Sequence, residues 1–173
     1  MDKRLKGRPL VAGAASGRAL VAATPLSLWG GLDPATGNIP DRRHELCGQC
    51  MTGRIFVMPT GKGSSTASAI LAESIRNGTA PAAIVLARTD PIVALGAIVA
   101  DEMFGKTVPV VVLPKDDYNA IADGDQVTVE PDGSATVATE TGTGTAKKGT
   151  GTCSAFGLRS SQSPFSDERK ETS

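Results

Sequence analysis

Residues 54–66 read Arg-Ile-Phe-Val-Met-Pro-Thr-Gly-Lys-Gly-Ser-Ser-Thr and decide the fold class of this chain. The run Arg54–Met58 is short and apolar and is bounded by a glycine and a proline, which is typical of a buried β-strand. A glycine-rich turn follows, and apolar spacing predicts a helix over Ser65–Asn77 that stops at Gly78. The residues expected on the buried face of this helix are Ala67, Ile70, Leu71, Ser74 and Ile75.

Strand and helix signals alternate on both sides of this unit. A second helix is predicted over Ile92–Phe104, with Asp90 as its cap and Gly105 at its end. Leu26–His44 contains many turn residues and is predicted to be a long loop. The remaining predicted strands are Arg18–Thr24, Ala82–Ala87, Val108–Leu113 and a hairpin formed by Gln126–Glu130 and Ser134–Ala138. This order predicts an α/β domain with a mixed sheet, in which central parallel strands have helical crossovers and outer strands are antiparallel or close a barrel.

Composition excludes several classes of function. The chain has 173 residues with 18 basic and 18 acidic side chains, so no net charge attracts it to nucleic acid or to an anionic membrane. Aromatic residues make up 3%, too few for a base-stacking surface. The longest uncharged stretch, Ala19–Leu32, has 14 residues, whereas a membrane-spanning helix needs about 20. The domain is expected over residues 1–138, and Thr139–Ser173, rich in Thr, Ser and Gly, is expected to be a disordered tail.

Three cysteines, Cys47, Cys50 and Cys153, argue against a secreted disulfide framework because their number is odd. Cys47 and Cys50 have C-x-x-C spacing, but no helix start follows to lower a thiol pKa. A tetrahedral metal site would need two more ligands, of which only His44 is near in sequence. Two incidental loop thiols are the preferred interpretation. The basic N-terminus is followed by an apolar run that glycines interrupt, so we expect a cytoplasmic protein rather than a secreted one.

The turn between the strand and the first helix is suited to binding an anion. Gly61 and Gly63 permit tight backbone, and Lys62 together with the N–H groups of the helix start attracts negative charge. A carboxylate, a phosphate or a developing oxyanion would fit. The turn is not a nucleotide P-loop, because Lys62 is followed by glycine rather than by Ser or Thr. The alternative is that Ser64 or Ser65 only caps the helix.

The long loop offers a second set of candidates. Asp33, Thr36 and His44 could contact a substrate or a partner subunit, or the first two could only shape turns with the proline and glycine that follow them. His44 is the only histidine. Trp29, the only tryptophan, is expected in the core or at an interface rather than in catalysis.

Eight segments, found in a characteristic order, carry a resemblance to a known family. They are Trp29–Gly37, His44, Gly53-Arg54, Pro59–Ser65, Asn77–Val85, Leu95–Ala100, Pro109–Val111 and Gly124-Asp125. Over about residues 8–138 the chain resembles the swivel domain, or small subunit, of the aconitase X family. The resemblance implies a swivelling β/β/α domain and does not extend into the C-terminal segment.

The resemblance implies a role in the dehydration of a hydroxy acid. A larger catalytic subunit would bind an iron–sulfur cluster or iron, and this domain would close over it and supply a serine base at the position of Ser64. Lys62, Gly63, Ser65 and Thr66 would lie beside the substrate. Aconitase has an arginine where this chain has Thr66, so a bidentate carboxylate clamp is missing and a substrate with one carboxylate fits better. The family's substrates are cis-3-hydroxy-L-proline, which becomes a pyrroline carboxylate and is favoured here, and 5-phosphomevalonate.

Two other classes of function compete with a dehydratase subunit. One is a non-catalytic module that binds an anion at the same turn. The other is a swivelling carrier domain that offers His44 to a distant centre, although that histidine does not precede a helix in the sequence. Replacing Ser64 by alanine distinguishes a dehydratase subunit from an anion-binding module. It would abolish turnover by the dehydratase but only weaken anion binding by the module.

Overall fold

The computed structural model describes residues 2–138, and the expected tail over residues 139–173 lies outside them. The strands are β1 (Asp2–Lys6), β2 (Arg8–Val11), β3 (Ala15–Val21), β4 (Ile55–Met58), β5 (Ala83–Leu86), β6 (Val110–Val112), β7 (Gln126–Val129) and β8 (Ser134–Ala138). The helices are α1 (Leu28–Gly31), α2 (Thr66–Asn77), α3 (Pro91–Phe104) and α4 (Lys115–Tyr118). Mixed α/β structure is therefore confirmed.

The eight strands follow the order β1-β8-β7-β3-β4-β5-β6-β2, with β3 to β6 parallel and the flanking pairs antiparallel. The two strands at opposite ends of this order, β1 and β2, are separated by Gly7 alone. One continuous stretch of chain thus pairs with β8 through its first half and with β6 through its second half. The sheet consequently closes on itself as a barrel, and its outer strands are antiparallel, so both predicted arrangements are found.

Two apolar cores lie on the two sides of the barrel wall. Alternate residues of a strand point to opposite faces, so Ile55 and Val57 of β4 belong to the interior core, while Phe56 and Met58 pack towards the helices. All four residues of β4 and all four of β5 are buried. This two-sided burial explains why these strands appear in the sequence as continuous apolar runs.

Helices α2 and α3 pack against each other on the outside of the barrel. The predicted apolar face of α2 is confirmed, since four of its five predicted residues are buried and Ile70 is half-buried. Both glycine stops are confirmed by left-handed backbone, at Gly78 (φ 76°) and Gly105 (φ 62°). A Cβ on Gly96 would lie 2.7 Å from the Ser68 carbonyl oxygen, so this glycine permits the close approach of α3 to α2.

The sequence did not predict the two N-terminal strands, and it placed the next strand three residues late. β1 has only one buried residue, Leu5, among four exposed charged ones, so neither alternation nor an apolar run marks it. Its partner β8 is far away in the chain, and the pairing appears only in three dimensions. Over residues 2–138 the helices are too short or too polar to cross a membrane.

Candidate functional site

The predicted anion-binding turn leaves the C-terminal end of β4, in the parallel part of the sheet, where α/β proteins commonly bind ligands. Two hydrogen bonds to different segments of the chain hold it in place. The Gly61 N–H donates to Asp90 Oδ2 at 2.8 Å, and the Lys62 N–H donates to the Leu26 carbonyl oxygen at 3.2 Å. The turn is therefore attached both to the start of α3 and to the loop after β3.

Gly63 has a backbone conformation that favours glycine, with φ of 129°. A Cβ at this position would also lie 3.0 Å from Ser27 Oγ. The predicted need for glycine at this point of the turn is thus supported by both conformation and space. Lys62, Gly63, Ser64, Ser65 and Thr66 are all exposed, and Thr66 is the first residue of α2.

The hydroxyl groups of the turn do not cap the helix. Ser65 occupies the N-cap position with helical backbone angles, and its side chain makes no capping hydrogen bond. Among residues 2–138, Ser64 Oγ also lacks a hydrogen-bond partner, whereas the Ser64 carbonyl oxygen accepts from the Ala67 N–H at 2.9 Å. The alternative that Ser65 serves only as a cap is therefore wrong, and both hydroxyls are available to a ligand.

The helix start favours negative charge at these hydroxyls. They lie at the N-terminus of a 12-residue helix, whose aligned peptide dipoles place partial positive charge there. The first turn of α2, which the structure describes in full, contains no acidic side chain. Lys62, two residues before Ser64, is exposed and adds a positive charge to the turn, while the Asp90 carboxylate accepts from the Gly61 N–H of the same turn. This arrangement favours an anionic ligand and stabilises a negative charge on a serine oxygen.

An open cleft extends from Lys62 towards the long loop. Its walls include Pro25, Ser27, Trp29, Asp41, Arg43 and His44. The structure therefore brings two of the predicted site residues, Lys62 and His44, to the same cleft. Trp29 is 63% exposed, so the expectation that it belongs to the core is wrong and an interface remains.

His44 is held by hydrogen bonds and is 9% exposed. Its Nδ1 accepts from the Leu46 N–H at 3.1 Å, so the neutral ring carries its proton on Nε2. Nε2 lies 3.3 Å from the hydroxyl of Thr24, which donates to Glu45 Oε2 at 2.6 Å. That hydroxyl lowers the pKa of the Glu45 carboxyl. This network joins the long loop to the segment after β3, and contact of His44 with substrate stays a prediction.

Asp33 and Thr36 lie at the opposite end of α2. The Asp33 carboxylate accepts from the Thr36 hydroxyl at 2.7 Å and from the Ala35 N–H at 2.9 Å, and these bonds lower its pKa. The intervening turn contacts the C-terminus of α2, because the Pro34 carbonyl oxygen accepts from Asn77 Nδ2 at 2.9 Å. Twelve helical residues separate the two ends by about 18 Å. The structure thus does not bring this pair to Ser64; it shows them shaping a turn, and their contact with substrate stays a prediction.

Metal ligation is not supported by the described part of the chain. Residues 2–138 contain no cluster of three or more His, Cys, Asp or Glu side chains that could hold a metal ion. Cys47 is an exposed free thiol, so the C-x-x-C pair is not closed on itself as a disulfide. Cys50 is disulfide-bonded, so the expectation of two incidental loop thiols is wrong for Cys50. An iron–sulfur cluster or iron ion does not fit this donor set.

The sequence predicted only one of the two contacts that Asp90 makes. Asp90 was predicted as a cap of α3, which is confirmed by its bonds to the N–H groups of Ile92 and Val93. Its second contact, with Gly61, joins positions 29 residues apart. Nothing in the sequence spacing could have revealed that contact.

The chain is similar to proteins of one known family. The family model "Aconitase X swivel domain" matches residues 4–139. A cis-3-hydroxy-L-proline dehydratase of Pseudomonas aeruginosa is 52% identical over 106 residues, which are 61% of this chain and 18% of that protein. A phosphomevalonate dehydratase small subunit of Methanosarcina acetivorans is 39% identical over 127 residues, which are 73% of this chain and 84% of that protein.

The structure of the chain is also similar to a solved one. The crystal structure of Thermococcus kodakaraensis aconitase X in its holo-form superposes with a TM-score of 0.71 at 36% identity. The match covers 79% of this chain and 99% of that one. The match thus covers 99% of one structural relative and 84% of one small subunit, but only 18% of the Pseudomonas dehydratase.

Proposed function

Because this chain belongs to the aconitase X swivel-domain family, we propose that it is the small subunit of a hydro-lyase that dehydrates a hydroxy acid. One observation carries the proposal. Two serine hydroxyls without partners among residues 2–138 lie at the N-terminus of α2 beside Lys62. We also assign the protein to the cytoplasm, as its N-terminal sequence led us to expect.

Ser64 is the catalytic base in this proposal. Its Oγ takes the proton from the carbon next to the substrate carboxylate, and the substrate hydroxyl leaves from the neighbouring carbon. A serine hydroxyl is a very weak acid, so its alkoxide needs strong stabilisation. The N–H groups at the start of α2 and the ammonium of Lys62 provide it once water is excluded.

A larger subunit completes the site. The turn around Ser64 is exposed, so on its own it does not exclude water from the reacting atoms. The partner would contribute an iron–sulfur cluster or iron, whose Lewis acidity assists departure of the hydroxyl. Trp29, exposed at the edge of the cleft, is suited to the contact between the two subunits. Relatives named as small subunits support such a pairing.

The proposed substrate is cis-3-hydroxy-L-proline. The 52% identity to a dehydratase of that name favours it. Thr66 offers no guanidinium for a second carboxylate, which is compatible with both family substrates because each has one carboxylate. The second candidate is 5-phosphomevalonate, favoured by the match to 84% of a phosphomevalonate dehydratase small subunit. Lys62 can bind either a carboxylate or a phosphate, so its presence is equally compatible with both.

Direct assay of the complex tests the proposal. The chain is co-expressed anaerobically with its candidate large subunit, purified as a complex, and given each substrate in turn. We expect formation of a pyrroline carboxylate from cis-3-hydroxy-L-proline and no conversion of 5-phosphomevalonate. Conversion of the phosphorylated substrate alone would select the second candidate. A stable complex that converts neither would reject both, and the absence of any complex would favour the non-catalytic anion-binding module.

Replacing Lys62 by methionine is expected to lower kcat/KM of the complex about 10- to 100-fold. The side chain keeps its apolar length but loses a charge-assisted hydrogen bond, which is worth about 1.5–3 kcal/mol. Steady-state kinetics over a range of substrate concentrations measure the effect. Lys106→Met is the matched control, because Lys106 Nζ donates to the Arg76 carbonyl oxygen near the opposite end of α2. Equal values of kcat/KM for the two variants would show that Lys62 does not bind the substrate.

A further inference from the structure

We propose that Asp90 is a positioning residue for the dehydration, acting through the turn that carries Ser64. The inference rests on the proposed function and deepens it. Asp90 is 8% exposed and lies between the first turn of α3 and the backbone of Gly61. It is on neither the strand nor the helix that flanks Ser64, so it reaches the site from a separate element.

The two carboxylate oxygens of Asp90 have different partners. Oδ1 accepts from the backbone N–H groups of Ile92 at 2.9 Å and Val93 at 3.1 Å, which caps α3. Oδ2 accepts from the Gly61 N–H at 2.8 Å, and the Thr60 hydroxyl lies 3.5 Å away. Asparagine or serine would satisfy a cap equally well. Only a carboxylate offers an acceptor on both sides, so the acid at this position is explained by the turn and not by the helix.

The contact between Asp90 and Gly61 leaves no space for a side chain at position 61. A Cβ on Gly61 would lie 2.4 Å from Asp90 Oδ2 and 3.1 Å from a Val93 methyl carbon, so glycine lets the carboxylate reach the backbone. The next residue, Lys62, is bound on the other side by the Leu26 carbonyl oxygen. Two successive N–H groups, three and two residues before Ser64, are thereby bound to two different segments of the chain.

Displacement of this turn would affect the base more than the binding lysine. The Ser64 side chain is a single carbon and an oxygen, so its Oγ follows every shift of the backbone. Lys62 has four flexible methylene groups and can compensate for a small movement. Misplacement of a reacting group by about 1 Å can cost about 100-fold in rate. The expected signature of a lost Asp90 contact is thus a fall in kcat with a smaller change in KM.

Asp90→Asn separates the two roles of the residue. The amide oxygen keeps the cap of α3, while the amide N–H₂ group faces the Gly61 N–H and cannot accept from it. Two measurements are made: kcat and KM of the purified complex, and amide hydrogen exchange of Gly61 in the free chain by NMR. Asp101→Asn is the matched control, since Asp101 lies about 16 Å along the same helix and accepts a hydrogen bond from Thr107.

We expect Asp90→Asn to lower kcat about 10- to 100-fold, change KM less than threefold, and accelerate Gly61 exchange at least tenfold. Asp101→Asn should change none of these. Fast Gly61 exchange with wild-type kcat would overturn the positioning role, and unchanged exchange would disprove the contact itself. If Asp90→Asn does not fold, Asp90→Ser replaces it, because serine can cap α3 but is too short to reach Gly61. If the wild-type complex converts neither substrate, the proposed function fails, whereas the exchange result still decides whether Asp90 holds the turn.

Discussion

Replacing Ser64 by alanine is expected to reduce turnover by the complex about 100- to 10,000-fold, the range typical of losing a general base. The substitution removes one exposed oxygen that has no hydrogen-bond partner among residues 2–138. Folding and assembly with the large subunit should therefore be unchanged. Turnover is measured on complexes purified by size exclusion at matched concentration, with thermal unfolding as the check on folding.

Ser65→Ala is the matched control for this experiment. Ser65 follows directly, is exposed, and makes no capping hydrogen bond, so its removal is structurally equivalent. A loss of less than tenfold is expected, because a hydroxyl that only contacts the substrate contributes less than the base. The reverse result would assign the base to Ser65. Full activity of both variants would show that neither serine is the base, and the turn would then be assigned only to anion binding.

The central part of the fold could be predicted because its signals are local. β4 and β5 are buried on both faces and therefore appear as uninterrupted apolar runs, and the helices carry periodic apolar residues with glycine stops. β1 could not be predicted in this way. Its charged residues are exposed, and its strand conformation depends on pairing with β8, more than a hundred residues away in the chain.

In the candidate site, too, the local features could be predicted and the contacts between distant segments could not. The turn from Gly61 to Ser65 was apparent in the sequence because its residues are adjacent and belong to a strand–turn–helix unit. The long loop was misleading, since it contributes His44 to the cleft near Lys62 but places Asp33 at the far end of α2. Sequence proximity within a loop carries little information on distance, because a loop crosses the surface without a fixed repeat. The Asp90 contact with Gly61 similarly required the packed structure.

The closure of the barrel at Gly7 has the largest expected effect on stability. A Cβ on this residue would lie 2.6 Å from the Gly133 carbonyl oxygen, 2.6 Å from a Val111 methyl carbon and 2.8 Å from a Leu113 methyl carbon. The Gly7 N–H also donates to that same carbonyl oxygen at 3.1 Å. The chain passes here from pairing with β8 to pairing with β6, so any side chain would force the two ends of the sheet apart.

Gly7→Val is therefore expected to lower the free energy of unfolding by about 2–4 kcal/mol, combining the cost of overpacking with the loss of one hydrogen bond. Urea unfolding of the free chain, followed by far-ultraviolet circular dichroism, measures the change. Lys3→Val introduces the same side chain on an exposed position of β1 and should stay within about 0.5 kcal/mol of the wild type. The free energy of unfolding of Gly7→Ala should lie between those of Gly7→Val and Lys3→Val, because alanine adds one side-chain carbon where valine adds three. An unfolding midpoint of Gly7→Val equal to that of Lys3→Val would mean that the strand can bend elsewhere, and that the barrel does not depend on glycine at its closing residue.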